Sequence, residues 1–228
     1  MSTKFRNRFD AGRMLAGRLD SYAGRTDILV LALPRGGVPV GYEVARALDA
    51  PLDVFVVRKL GVPGHEELAM GALASGGVCI LNDDVVKSLR VPGRIIEAVA
   101  DRELRELVRS ERAYRGDRPS PDVRGRTVIL VDDGLATGST MRAAVAALRR
   151  LGPTRIVVAV PAAAPSTCEE FHREADDCVC VITPEPFYSI GLWYEDFSQT
   201  TDDEVRGLLE RSAPPVAAAS RYDEEAIR

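Results

Sequence analysis

The chain has 228 residues, 46% of them hydrophobic and 28% charged, with a formal net charge of −4. That length can bury a self-sufficient core as one large domain, without a disulfide or metal staple. The interleaved, slightly acidic charge argues against nucleic acid as a partner, and no apolar run reaches the length that spans a bilayer.

The basic start, residues 1–8, is not followed by an uninterrupted apolar core, so no secretion signal is expected and the location expected is cytoplasmic. Residues 28–33 form a short apolar run closed by Pro34 and predict a buried strand. Residues 38–48 predict a helix with Pro39 in its first turn. A second strand is predicted over 52–57. The glycine-rich stretch 59–77 has no long apolar run and predicts a mobile loop, with a short strand over 78–81. The spacing of Ile95, Ile96, Val99, Leu104, Leu107 and Val108 predicts one apolar stripe on a helix over 94–114. Residues 127–131 are the strongest strand signal, and residues 139–151 predict a helix ended by Gly152-Pro153. Strands over 155–160 and 178–182 flank a helix over 166–175.

The four cysteines, Cys79, Cys168, Cys178 and Cys180, have neither disulfide-framework nor zinc-ribbon spacing. They are expected to pack as small hydrophobes. His172 sits at helical spacing from Cys168, but two ligands do not make a metal site, and no metal held by the protein itself is expected. Residues 213–228 read as a flexible tail.

Strands alternating with helices predict an α/β fold, a mainly parallel sheet with helices on both faces. In such folds ligands bind beyond the carboxyl ends of the strands, here the loops after Leu33, Val57 and Val131. The last of these delivers two carboxylates, Asp132 and Asp133, to a strand end. Gly134, Ala136, Thr137, Gly138, Ser139 and Thr140 follow, and then a helix. Backbone N–H groups at a helix N-terminus suit an anion. The hydroxyls of Thr137, Ser139 and Thr140 add donors. The carboxylates offer acceptors to a vicinal diol, or through water to magnesium. The segment lacks the lysine of a P-loop, which argues against a nucleoside triphosphatase.

Residues 128–141, Val-Ile-Leu-Val-Asp-Asp-Gly-Leu-Ala-Thr-Gly-Ser-Thr-Met, resemble the ribose-phosphate motif of type I phosphoribosyltransferases. A weaker likeness extends over residues 27–197. The resemblance implies 5-phosphoribosyl-1-pyrophosphate as substrate, with Mg²⁺ bound mainly through it, and a nucleobase or related acceptor. Asp132 and Asp133 would hold the ribose hydroxyls, and residues 136–140 would cradle the 5′-phosphate. Arg35, Gly36 and Gly37 would form the pyrophosphate loop, where the family often carries a cis peptide. Arg58 and Lys59 resemble the Arg-Lys pair of orotate enzymes, which leads into a mobile lid; here that lid would be residues 60–77. The resemblance further implies one domain over 1–212, with a core at about 24–183, a small hood from 1–23 and 184–212, and a homodimer.

The aromatic-rich segment 187–197 loosely resembles the hood of hypoxanthine-guanine enzymes, with Tyr188 or Trp193 available to stack on a base. Those enzymes carry an aspartate where this chain has Ala136, whereas adenine and orotate enzymes have alanine. The 6-oxopurine signature is therefore missing. If a proton must move, His65, Glu66 or Glu67 could supply it. A sugar-binding regulator without transferase activity and a phosphosugar hydrolase are the alternatives. Retention of Arg35, Arg58 and Lys59 favours the transferase.

Overall fold

A computed structural model describes residues 4–212; the tail expected over 213–228 lies outside the described residues. The elements in chain order are α1 (Arg8–Ala16), β1 (Ile28–Ala32), α2 (Gly37–Leu48), β2 (Leu52–Val54), β3 (Val57–Val62), β4 (His65–Ala74), β5 (Val78–Leu81), α3 (Asp83–Ser88), α4 (Gly93–Arg115), β6 (Thr127–Val131), α5 (Ser139–Leu151), β7 (Arg155–Ala162), α6 (Pro165–Glu174), β8 (Asp177–Ile182) and α7 (Asp202–Ser212).

Five strands form a wholly parallel sheet in the order β2-β1-β6-β7-β8. Every residue of β1 and β6 is buried, as continuous apolar runs in a sheet covered on both faces require. The period of two splits them between two cores. Ile28, Val30, Ile129, Val131 and Val157 pack with Leu15 of α1, Val44 of α2, Leu107 of α4 and Leu208 of α7. Leu29, Leu31, Val128, Leu130 and Val158 pack with Leu148 of α5 and Phe171 of α6. Because β6 lies between β1 and β7, the loops after β1 and β6 open side by side at one end of the sheet.

The region expected to be a loop is instead part of a three-stranded antiparallel sheet, β3-β4-β5, a small hood beside the parallel core that is separate from the hood segments expected at 1–23 and 184–212. Leu60, Val62, Met70 and Leu73 are buried and pack into the same core as Val99 and Leu107 of α4. Small residues conceal this pattern in the sequence. A Cβ at Gly71 would collide with the carbonyl of Ile80, so glycine permits the strand pairing there rather than marking a loop. The predicted strand 52–57 is accordingly split: its first half joins the parallel sheet, and Val57 begins the antiparallel one. The stripe predicted on α4 is also interrupted. Leu104 and Val108 are 40% and 52% exposed, because the helix turns its Val99–Leu107 edge inward. Among the described residues, no helix is long and apolar enough to cross a membrane.

Residues near the two ends of the described chain meet. Phe5 bridges Tyr194, and the two rings lie 5.4 Å apart. Elsewhere, α4 is tied to the sheet by a buried ion pair, with Arg115 Nε 3.0 Å from Asp53 Oδ1. The guanidinium also donates to the Val54 carbonyl at 3.1 Å and to Ser120 Oγ at 3.1 Å.

Burial pushes the Asp53 carboxyl above its usual range, against the pull of Arg115. Arg115→Met should therefore lower stability at neutral pH by about 3 kcal/mol, since it leaves a buried carboxylate without its counter-ion. The sign follows from the raised folded pKa. The loss is present above the unfolded carboxylate range and shrinks as pH falls and Asp53 takes up a proton. Urea unfolding of both proteins at neutral pH and at about pH 4.5 checks this; an equal gap at both would contradict it.

Candidate functional site

β6 ends by delivering Asp132 and Asp133 into the opening between the β1 and β7 loops. Asp132 Oδ1 accepts the Asp133 backbone N–H at 2.8 Å. Asp133 Oδ2 accepts Arg8 Nε at 2.8 Å, and both side chains are largely enclosed. The Arg8 guanidinium lies 3.9 Å over the Phe197 ring and donates to the Ser198 carbonyl at 2.6 Å. Tyr194 completes the support by donating its hydroxyl to the Asp133 carbonyl at 2.6 Å.

The electrostatics follow from this packing. Burial and the neighbouring Asp133 push the Asp132 carboxyl well above the usual carboxylate range. Burial also raises Asp133, against the pull of Arg8. Burial and Asp133 push the Tyr194 hydroxyl up as well, which keeps it a donor.

The β1 loop closes on this pair. The Pro34–Arg35 peptide bond is cis, the feature the family resemblance implies for this loop. Gly37 is needed for the close approach: an added Cβ would stand 2.7 Å from the Val131 carbonyl and 2.9 Å from the Asp132 Cα. At Gly36 it would overlap the Asp133 carboxylate. The two glycines expected to serve a ligand are thus required first for the fit of one loop against the other.

The β6 turn forms an open cradle of ≈ 170 Å³ lined by Asp132, Gly134, Ala136, Thr137, Gly138, Ser139, Thr140 and Ile190. Gly138, at φ +70°, is the N-cap of α5. Ala136, Thr137, Ser139 and Thr140 are exposed, and the Thr137 and Ser139 hydroxyls lie 3.2 Å apart. The turn is held from behind by residues that sequence reading did not single out. Thr167 Oγ1 donates to the Ala136 carbonyl at 2.8 Å. Arg142 donates to the Thr137 carbonyl at 2.6 Å and is itself gripped by Glu170 and Glu174.

The predicted cations do not converge as a group. Arg58 lines a cavity of ≈ 100 Å³ with Leu33, Pro34, Tyr114 and Thr140, next to the cis peptide. Its guanidinium pairs with Glu103 at 2.9 Å. Adjacent strand residues face opposite ways, and Lys59 Nζ instead meets the Glu67 carbonyl at 3.1 Å. Arg35 stands 3.5 Å from Asp202. His65, Glu66 and Glu67 are exposed at the hairpin tip, with His65 3.7 Å from Glu67. Tyr188 is 78% exposed. Trp193 stacks on Phe187 at 6.3 Å, and its buried Nε1 has no partner among the described residues. The side chain from this aromatic segment that reaches the cradle is Ile190.

The cysteine expectation is corrected. Cys168 and Cys180 are joined by a disulfide, and Cys178 and Cys79 are free. Packing α6 on β8 brings Cys168 against a strand whose period of two puts Cys178 and Cys180 on one face. His172 is not among the groups gathered there.

A family profile described as the phosphoribosyl transferase domain matches residues 3–191. The chain belongs to that family. It is 45% identical over 219 residues to a Mycobacterium tuberculosis protein provisionally named a phosphoribosyl transferase, a match covering 96% of this chain and 49% of that protein. The chain thus spans about half the length of the curated relatives it matches first. It is 32% identical over 139 residues to the "Bifunctional protein PyrR" of Roseiflexus sp., covering 60% of this chain and 57% of that one. The solved structure of TT1426 from Thermus thermophilus is 40% identical with a TM-score of 0.81, covering 92% of this chain and all of that one.

If Asp132 carries a burial penalty that serves a ligand, Asp132→Asn should make the free protein more stable. Its folded pKa is raised, so the charge opposes folding at neutral pH and stops doing so once pH falls far enough to protonate it. Relief of about 1 kcal/mol corresponds to a rise in Tm of about 2–4 °C at neutral pH for a chain of this size, with the advantage lost in acid. Scanning calorimetry across pH tests this, and a variant less stable at neutral pH would contradict it.

Proposed function

We propose that the protein transfers the 5-phosphoribosyl group from 5-phosphoribosyl-1-pyrophosphate to a nitrogen of a base, releasing pyrophosphate. The observation that carries this reading is the pairing of the enclosed Asp132–Asp133 carboxylates with the open cradle at 136–140, one strand end apart. Family membership supports it. Asp132 would accept the ribose hydroxyls. Asp133, tied to Arg8, would hold the backbone of the turn and offer its remaining acceptor capacity. The amides at the start of α5 and the hydroxyls of Thr137, Ser139 and Thr140 would bind the 5′-phosphate.

In the transfer, the lone pair of the base nitrogen attacks C1 of the ribose. The C1–O bond breaks, pyrophosphate leaves with the electron pair, and the nitrogen gives up its proton. Negative charge grows on the departing oxygen, where Arg35, Arg58 and the loop amides would stabilise it. Magnesium fits as an ion carried by the pyrophosphorylated sugar. The Arg8 guanidinium beside Asp133 disfavours direct coordination by that carboxylate, so Asp132 would reach the ion through water. When bound, magnesium supplies neutralising charge to the leaving group. Ala136 leaves the usual 6-oxopurine acid/base position without a proton acceptor, so a proton on the base would have to go to another group or to solvent. A cytoplasmic homodimer remains part of the same proposal.

The second reading is a sugar-binding regulator. It is favoured by the fact that Arg35, Arg58 and Lys59 each already meet an acceptor in the protein: Asp202, Glu103 and the Glu67 carbonyl. Turnover separates the two. Incubation with 5-phosphoribosyl-1-pyrophosphate, magnesium and a panel of purine and pyrimidine bases should yield a nucleotide with at least one. Tight sugar binding without any product would select the regulator. For an active enzyme, Arg58→Ala should lower kcat about 100-fold. Lys59→Ala, on the opposite strand face, should change it much less. Equal losses in steady-state assays would contradict that division.

A further inference from the structure

Three sulfur atoms meet where α6 lies on the edge strand β8. Cys168 and Cys180 are bonded, and the Cys178 sulfur stands 3.9 Å from the first and 3.8 Å from the second. Cys168 and Cys178 are buried, whereas Cys180 keeps part of its surface open. The helix so anchored is the one that supports the cradle. Thr167, next to Cys168, holds the Ala136 carbonyl. Phe171 packs so tightly on Gly138 that an added Cβ there would come to 2.6 Å of its ring. Glu170 and Glu174 grip Arg142, which holds the Thr137 carbonyl. Three consecutive residues of the turn therefore rest on α6, and one covalent link fixes α6 to the sheet.

We propose that Cys168 and Cys180 are a reversible redox pair, and that their disulfide stiffens the 136–140 turn so that the oxidised protein binds a sugar 5-phosphate more tightly than the reduced one. The proposal rests on the phosphate site assigned above and adds its regulation. The oxidant is a low-molecular-weight disulfide. The Cys180 thiolate attacks it, forming a mixed disulfide and expelling one small thiolate. The Cys168 thiolate then attacks the Cys180 sulfur and expels the second. Two protein thiols lose two electrons and two protons, which leave on two small thiols. Burial and the adjacent Asp177 push the Cys178 thiol up to about 12. It therefore stays protonated at neutral pH and does not draw the bond to itself.

The test uses the full chain, reduced with dithiothreitol or oxidised with glutathione disulfide, and reads both alkylatable thiols and calorimetric affinity for ribose 5-phosphate. Oxidation should leave two of the four cysteines free and tighten binding about fivefold, a coupling of ordinary size for linked sites. Cys168→Ser and Cys180→Ser should bind like the reduced protein under both conditions, while Cys178→Ser should still switch. Four free thiols after oxidation, a zinc ion held by the cluster in place of the disulfide, or equal measurable affinities would each overturn the proposal. Equal measurable affinities leave the phosphate site itself standing. No binding in either state would remove both.

Discussion

Two carboxylates at the end of a buried strand are electrostatically unfavourable unless something compensates them. Here Arg8 offsets part of the penalty at one, and the other keeps most of its own. Asp133 is held by a guanidinium that stacks on Phe197, while Asp132 has only a backbone N–H and lies beside a like charge. The rest of the site is arranged around this constraint. Gly36 has no side chain because the Asp133 carboxylate occupies that space, and Gly37 has none because the Val131–Asp132 backbone does. Tyr194 fixes the backbone between the pair and the cradle. Residues near both ends of the described chain are drawn together because Arg8 must reach Asp133 while resting on Phe197.

The constraint also accounts for a division of labour in the sequence. The motif at 128–141 supplies groups that would face a ligand, but its shape is enforced from outside. α6 grips the carbonyls of Ala136 and Thr137 from behind, directly through Thr167 and indirectly through Arg142. Such a turn is open to a ligand yet fixed in form, as anion binding by backbone amides requires.

What could be read from the sequence was what is local. β6 and α5 match their predicted bounds because a contiguous apolar run and a helix closed by Gly152-Pro153 carry their own signals. The carboxylates and the cradle followed, since they lie within a dozen residues of one another. The hairpin β3–β4 did not, because glycines and alanines at pairing positions imitate a loop. Arg8 lay 125 residues from the group it neutralises, and no spacing rule links them. The cysteine pairing depended on which helix packs on β8, a tertiary fact. Arg58 and Lys59 illustrate the same limit on a smaller scale: adjacency in sequence suggested joint action, and strand geometry turned them apart.

On the proposed reading, the Asp132–Asp133 pair tolerates its burial in order to hold the hydroxyls of a pyrophosphorylated ribose. Calorimetric titration of 5-phosphoribosyl-1-pyrophosphate with magnesium into the native protein and into Asp132→Asn/Asp133→Asn measures this most directly. Binding to the native protein should be saturable, with a loss of at least about 100-fold in the double variant, since two charge-assisted hydrogen-bond acceptors disappear. Unchanged affinity in a variant that remains folded would contradict it.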